Sequence, residues 1–445
     1  MTSRRLAAAL ALSLAASAVV AEEITWRKIP LTDKFYSEGA NAADFNGDGK
    51  SDVVYGPYWW AGPDFKQRYE IFKPTGKGPE GSWKPDNEYS RDAFFAFTYD
   101  FNNDGAPDYL VYGFPGEAAR VYINPGKEAV TTNAPWKMVK VFDVVDNESP
   151  MFGDLDGDGK PDGVFHTSDP KIVPPKTVEV VDPKTKQKVI DPKTGQAKTQ
   201  SANQGAIGYA TADWSDPLKP WTFHAVSTPG GWARFTHGYG FGDVNGDGKM
   251  DILTNRTWWE NPGTKQDGPW KEHKVDMGGG GAQIHVYDVD GDGLNDIITS
   301  HQAHGVGLAW YRQGPKDPSG EITWTRNYIL PDKYEPNAQG IKFSQLHAID
   351  LVDINGDGLK DIVTGKRYFA HGSKGDVAPL DPAVLYWFEL KRNPADKSAE
   401  WVGHKIDDEA GIGVQVVATD VNGDGKPDIV VGNKKGACVM IQERK

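Results

Sequence analysis

A nine-residue pattern recurs seven times along this chain of 445 residues. The first copy reads Asp44-Phe-Asn-Gly-Asp-Gly-Lys-Ser-Asp52, and the others begin at Asp100, Asp154, Asp243, Asp288, Asp353 and Asp420. Each copy carries an acid or Asn at positions 1, 3 and 5, Gly at position 6 and Asp at position 9. A short apolar run follows, as in Val53-Val54-Tyr55, Ile297-Ile298 and Ile429-Val430-Val431. Tandem units of this kind cannot bury their apolar faces alone, so the chain must stack them into a repeat architecture.

The spacing is that of calcium chemistry. A hard cation takes six to eight oxygens, and alternate side chains of a tightly curled loop converge on one point. Gly at position 6 permits the left-handed turn that brings the ninth residue back. The expected ligands are Asp44, Asn46, Asp48 and Asp52, with the Lys50 carbonyl, in the first loop. The next loops offer Asp100, Asn102, Asp104 and Asp108; Asp154, Asp156, Asp158 and Asp162; and Asp243, Asn245, Asp247 and Asp251. The last three offer Asp288, Asp290, Asp292 and Asp296; Asp353, Asn355, Asp357 and Asp361; and Asp420, Asn422, Asp424 and Asp428. The pattern opens like an EF-hand loop, but its last acid falls at position 9 rather than 12, and a strand follows where a helix would be required. Up to seven calcium ions are expected.

Charge supports this. The chain has 62 acidic and 49 basic side chains, a formal charge of −13. The loops hold 23 of those acids, leaving 39 against 49 bases, and seven Ca²⁺ ions would bring −13 to about +1. The acidity is metal-site acidity. No basic footprint points to nucleic acid, and the lone Cys438 excludes a disulfide framework. Residues 1–21 read as an export signal: Arg4 and Arg5 precede the run Leu6 to Ala21, too short to span a bilayer and closed by small residues. No other apolar stretch is long enough to span. The mature chain, residues 22–445, is expected in the periplasm or outside the cell, without a transmembrane segment.

A second repeat runs in phase with the first. Trp26, Trp83, Trp136, Trp221, Trp270, Trp324 and Trp401 precede the loops by 17 to 29 residues. An aromatic segment lies between each loop and the next Trp, as in Trp258-Trp-Glu-Asn-Pro-Gly263. The unit is therefore four strands: A before the loop, B after it, the aromatic C, and D at the Trp. Seven such units make an all-β, seven-bladed propeller. The chain opens with a D strand near Trp26 and stops after a C strand near Val439, so the first strand is expected to complete the last blade and hide an edge.

The DxNGDGxxD motif followed by an apolar strand resembles the FG-GAP/VCBS repeats of the integrin α-subunit propeller, across essentially the whole mature chain. The aromatic strands with Asn-Pro-Gly (Trp258 to Gly263, Tyr122 to Gly126) also resemble the propeller of aldos-2-ulose dehydratases, although no cupin-like domain follows here. That second likeness implies cation-dependent elimination on a sugar. The fold itself serves adhesion, binding and catalysis alike.

Strand direction predicts where a site lies. A runs into the loop and B away from it, so all the loops share one face. Starts of A, ends of B, and the D–A and B–C loops share the opposite, upper face. His224, His273 and His404 sit three residues after a Trp and read as structural. His166, His237, His301, His304, His347 and His371 fall on the upper face, while the height of His285 is open. Six residues before each loop stand Glu38, Phe94, Glu148, His237, Ala282, His347 and Val414. Ends of B strands add Arg256, Lys366 and Arg367.

Such a ring suits an anionic or hydroxyl-rich ligand, a carbohydrate or an exported protein. Alternatively it supplies acid and base for a carbon–oxygen lyase, a sugar dehydratase or polysaccharide lyase. In that reading His237 or His347 is the base, and Arg256 and Lys366 stabilise developing negative charge. Glu38, Glu148, His166, Trp232, His285, His301, His304, Arg367 and His371 are further candidate ligand contacts. A second divalent metal, held by His237, His347 and a Glu, is a further expectation for this face. Two long B–C loops overhang it: residues 167–205, expected as a β-hairpin arm with a basic stretch, and residues 366–384, which carry His371.

Overall fold

The computed structural model describes residues 23–445 except 87, 203, 231, 233 and 264–267. The expected export signal, 1–21, lies outside the described residues. Seven four-stranded antiparallel sheets form the blades of a propeller. Blade 1 comprises Ala40–Ala43, Asp52–Tyr55, Tyr58–Trp60 and Arg68–Glu70, from the channel outward. Blade 7 comprises Val416–Thr419, Asp428–Asn433 and Gly436–Arg444, and its outer strand is the N-terminal Ile24–Thr32. Ile24 pairs with Arg444 and Ile29 with Val439 in that closure. The closure covers what would otherwise be the open edge of Gly436–Arg444.

Every B strand begins at the ninth residue of its motif: Asp52, Asp108, Asp162, Asp251, Asp296, Asp361 and Asp428. The apolar runs that follow are buried on both faces. Seven apolar clusters result, one between each pair of adjacent blades. Between blades 1 and 2, for example, Phe45, Val54 and Trp59 pack with Tyr109, Val111 and Trp136. The three Trp-phased histidines flatten onto aromatic C strands: His273 on Trp258 at 4.0 Å, His404 on Trp387 at 4.3 Å and His224 on Tyr209 at 4.9 Å.

The Trp phase fails at one position. Blade 1 takes Arg68–Glu70 as its D strand, and Trp83 lies beyond it in the long connection to blade 2. There its N–H donates to the Phe35 carbonyl at 2.8 Å, and its indole to Asp92 at 3.3 Å. The arm is a two-stranded sheet, Lys176–Glu179 with Thr199–Ala202, carrying two Asp-Pro-Lys-Thr turns beyond it. No hydrogen bond or ion pair of the arm reaches the channel mouth among the described residues.

Candidate functional site

On the lower face the loops are caged by their own acids. In the first, Asp44 accepts the Asp48 and Gly49 N–H groups at 3.1 and 2.8 Å, and Gly49 sits at φ 84°. The ninth residue does something the motif alone does not show. Asp52 Oδ2 accepts the Phe45 N–H at 2.8 Å while Oδ1 accepts the Gly62 N–H at 2.8 Å, stapling the loop to the end of the C strand. Asp108, Asp251, Asp296, Asp361 and Asp428 repeat both bonds. Burial raises these carboxyls and that of Asp162, to about 7 at Asp52, Asp162, Asp251, Asp296 and Asp361.

Donor oxygens of Asp154, Asp156 and Asp162 converge within 4.8 Å of one another, as do those of Asp288, Asp290 and Asp296. These are the two copies with Asp rather than Asn at position 3. Such all-oxygen donor sets fit a hard cation. In the fifth loop Arg312 also reaches Asp290 at 2.5 Å and Asp292 at 3.3 Å.

At the upper face the repeat phase brings four distant residues to the channel mouth. Glu38, Glu148, His237 and His347 each enter an inner strand, and each is buried or nearly so. His304, from the B–C loop of blade 5, joins them: its Nε2 lies 2.9 Å from His237 Nε2. The His347 ring packs edge-on against both, at 4.5 Å from His304 and 5.3 Å from His237. One nitrogen from each of these three rings lies within 4.8 Å of the others. His347 Nδ1 faces the Gln345 carbonyl at 3.3 Å, and its buried Nε2 has no partner among the described residues.

Charges surround the trio. Arg367 reaches Glu38 at 3.1 Å and Glu148 at 3.5 Å, and Glu148 lies 3.9 Å from His237. Lys434 stands 3.9 Å from Glu38 with its ammonium over the Tyr89 ring at 4.1 Å. Burial, then the neighbouring His304 and Arg367, hold His237 and His347 well below the usual imidazole range. Burial pushes Glu148 up against the opposing pull of Arg367, and lowers Lys434 to about 8. On the solvent side His371 stacks on His304 at 4.4 Å, and its Nδ1 donates to Asp376 Oδ1 at 2.8 Å.

Other expected residues lie elsewhere. Arg256 is exposed beside Lys274 and Asp276 and makes no side-chain contact with the trio among the described residues. Lys366 is buried beneath its own loop, donating to the Pro379 carbonyl at 3.1 Å, and burial lowers it to about 8. His285 is held in the wall by the Ile349 carbonyl at 3.1 Å. His166 is sealed near Asp146, His301 lies beside Tyr328, and Trp232 packs on Trp259. The structure thus joins Glu38, Glu148, His237, His304, His347, Arg367 and His371, and adds Asp376, Gln345 and Lys434. Lys434 had a sequence signal: it stands 14 residues after Asp420, as Arg367 does after Asp353.

Models of the FG-GAP-like repeat match residues 100–165 and 243–299, and a model of the FG-GAP repeat matches 412–437. Comparison with curated protein sequences finds no match. Among solved structures, a rhamnogalacturonan lyase, YesW, is 13% identical over 89% of this chain and 81% of its own, with a TM-score of 0.35. The V. cholerae biofilm matrix protein Bap1 is 12% identical, covering 95% and 84%, with a TM-score of 0.36. The Bacillus licheniformis rhamnogalacturonan lyase PL11 is 12% identical, covering 94% and 85%, with a TM-score of 0.31. No helix among the described residues is long and apolar enough to cross a membrane. The chain is a seven-bladed β-propeller that carries FG-GAP repeats at residues 100–165, 243–299 and 412–437.

Proposed function

We propose that this protein is an exported, calcium-loaded propeller whose upper mouth holds a divalent transition metal on His237, His304 and His347 and performs β-elimination on an acidic or keto-bearing carbohydrate. The observation that carries the reading is the convergence of three imidazole nitrogens in a buried mouth. Three neutral imidazoles are a catalytic ligand set that leaves positions open for substrate. The depressed basicity of His237 and His347 keeps them unprotonated, as ligands must be. The orphaned His347 Nε2 is the kind of buried acceptor that calls for an unseen partner. A Glu in the ligand set, the expectation from sequence, is replaced by His304, since Glu148 is engaged by Arg367.

A metal at this point supplies Lewis acidity toward a carboxylate or carbonyl oxygen, which acidifies the adjacent C–H. The protein's own groups do the rest. His371, half exposed and tied to Asp376 through Nδ1, takes the proton at Nε2. Glu148, once protonated, gives that proton from its carboxyl to the departing oxygen, burial having raised its affinity for it against the pull of Arg367. Arg367, fixed by Glu38, orients Glu148. Exposed Phe235 follows Trp232 on the loop leading to His237 and contacts Phe114 at 5.5 Å, offering an apolar face to a sugar ring. The proton-abstracting role thereby moves from His237 or His347 to His371, and Arg256 has no part.

The test is a turnover assay on uronate-containing polysaccharides and keto-sugars, following the ultraviolet absorbance of a new conjugated double bond. Signal that scales with enzyme and vanishes in His237→Ala, His347→Ala and His371→Ala supports the reading. A flat trace across the panel from protein that retains its metal overturns the catalytic half and leaves a binding propeller.

A further inference from the structure

Asp376 belongs to no repeat, yet it touches two of the four clustered imidazoles. Its Oδ1 accepts from His371 Nδ1 at 2.8 Å and lies 3.4 Å from His304 Nδ1, an ion-pair distance at which no hydrogen bond is formed. The ring contacts leave His304 Nε2 facing His237 and His347. A single carboxylate oxygen therefore stands behind an inward-facing ring and an outward-facing one.

Several bonds fix the carboxylate there. The His371 N–H donates to its other oxygen at 3.0 Å. The next residue, Val377, offers its carbonyl to Ser344 Oγ at 2.7 Å and Gln345 Nε2 at 3.1 Å, and its N–H faces the His304 carbonyl at 3.4 Å. Asp376, Ala378 and Gln345 have φ of 59°, 45° and 60°, a region that side-chain-bearing residues leave unless their surroundings hold them. Gln345 also accepts the His347 and Arg367 N–H groups at its carbonyl, both at 3.0 Å. The 366–384 loop is thus built onto the same backbone that carries His304 and His347.

We infer that Asp376 is the positioning residue of the three-histidine group: it holds the Nδ1–H tautomer of His304, so that Nε2 keeps its lone pair for a metal, while His371 anchors the carboxylate from the solvent side. A carboxylate behind a ligating imidazole fixes ring orientation and raises ligand basicity, and its loss costs about 10- to 100-fold in affinity. This rests on the metal reading above, and it adds a residue from outside the repeats.

The experiment is Co²⁺ titration of the full mature chain, preloaded with calcium and freed of transition metal, followed by the visible absorption of bound Co²⁺. Wild type, Asp376→Asn, Asp376→Ala, Asp376→Glu and His347→Ala are compared, with melting curves confirming that each is folded. The inference expects wild type to bind one Co²⁺ at this group, Asp376→Asn to bind about 10- to 100-fold more weakly with a changed spectrum, and Asp376→Glu to recover part of the loss. Wild-type affinity and spectrum in Asp376→Asn, or in Asp376→Ala should the Asn variant not fold, overturn the inference alone. Wild type that shows no Co²⁺ signal sensitive to His347→Ala overturns the metal reading, and this inference with it.

Discussion

Arg367 and Glu38 lie 329 residues apart in the chain and meet in the buried mouth of the channel, Nη2 to Oε1 at 3.1 Å and Nε to Oε2 at 3.2 Å. The pair ties the end of a blade 6 strand to the entry of blade 1, across blade 7. Glu148 extends the link to blade 3 at 3.5 Å. The ring is thus braced from within by charge as well as by the closing strand.

Removing one partner leaves the other buried and charged. Arg367→Met strands Glu38 with only Lys434, at 3.9 Å, and is expected to cost about 3–5 kcal/mol of stability. Lys434→Met should cost less, since Arg367 remains. Denaturant midpoints of the two variants and their double mutant check the order; equal, small losses would contradict the brace.

Positions within one acidic loop should behave differently. Asp48 is exposed, and Asp48→Ala should weaken the protein only when calcium is present. Asp52→Ala unpartners the N–H groups of Phe45 and Gly62 and should cost about 2–4 kcal/mol with or without chelator. Melting curves of both variants in calcium and in excess chelator separate the roles. Identical responses would remove the distinction between ligand and staple.

Chelation should lower the melting temperature of the unmodified chain, because an ion bound only by the folded form stabilises it by mass action. An unchanged midpoint in excess chelator, with no calcium found by elemental analysis, would contradict calcium loading.

His166 predicts an acid-side slope. Its ring is fully buried, burial lowers it to about 4 against an ordinary 6.5, and neither ring nitrogen has a hydrogen-bond partner among the described residues. The unfolded chain therefore takes up a proton between pH 6.5 and 4 that the folded chain does not. Stability contributed by the neutral ring is complete above pH 6.5 and lost as pH falls toward 4. His166→Gln should flatten the pH dependence of stability in that window; an unchanged slope would assign it to other groups.

The repeat made much of this legible. Because every blade is phased by its motif, counting six residues back from each loop placed Glu38, Glu148, His237 and His347 at one height, where the structure has them. Phase also put Lys434 level with Arg367, but a lysine in an Asn-Lys-Lys-Gly turn reads as solvated surface until Glu38 is seen beneath it. Asp376 carries no phase: it sits in a long B–C loop whose path is set by Ser344, Gln345 and His304, contacts that no local pattern encodes. Trp83 misled for the converse reason. Its spacing matched the other tryptophans, but Arg68–Glu70 had already filled the outer edge of blade 1.

The proposed chemistry depends on a transition metal held by His237, His304 and His347. Anomalous diffraction from crystals of the mature chain grown with Mn²⁺ or Zn²⁺, with data on both sides of the metal's absorption edge, tests it most directly. One edge-dependent peak is expected between His237, His304 and His347, distinct from any calcium peaks on the opposite face, and absent in His347→Ala. No peak at the channel mouth, with metal confined to the acidic loops, would overturn the three-histidine site.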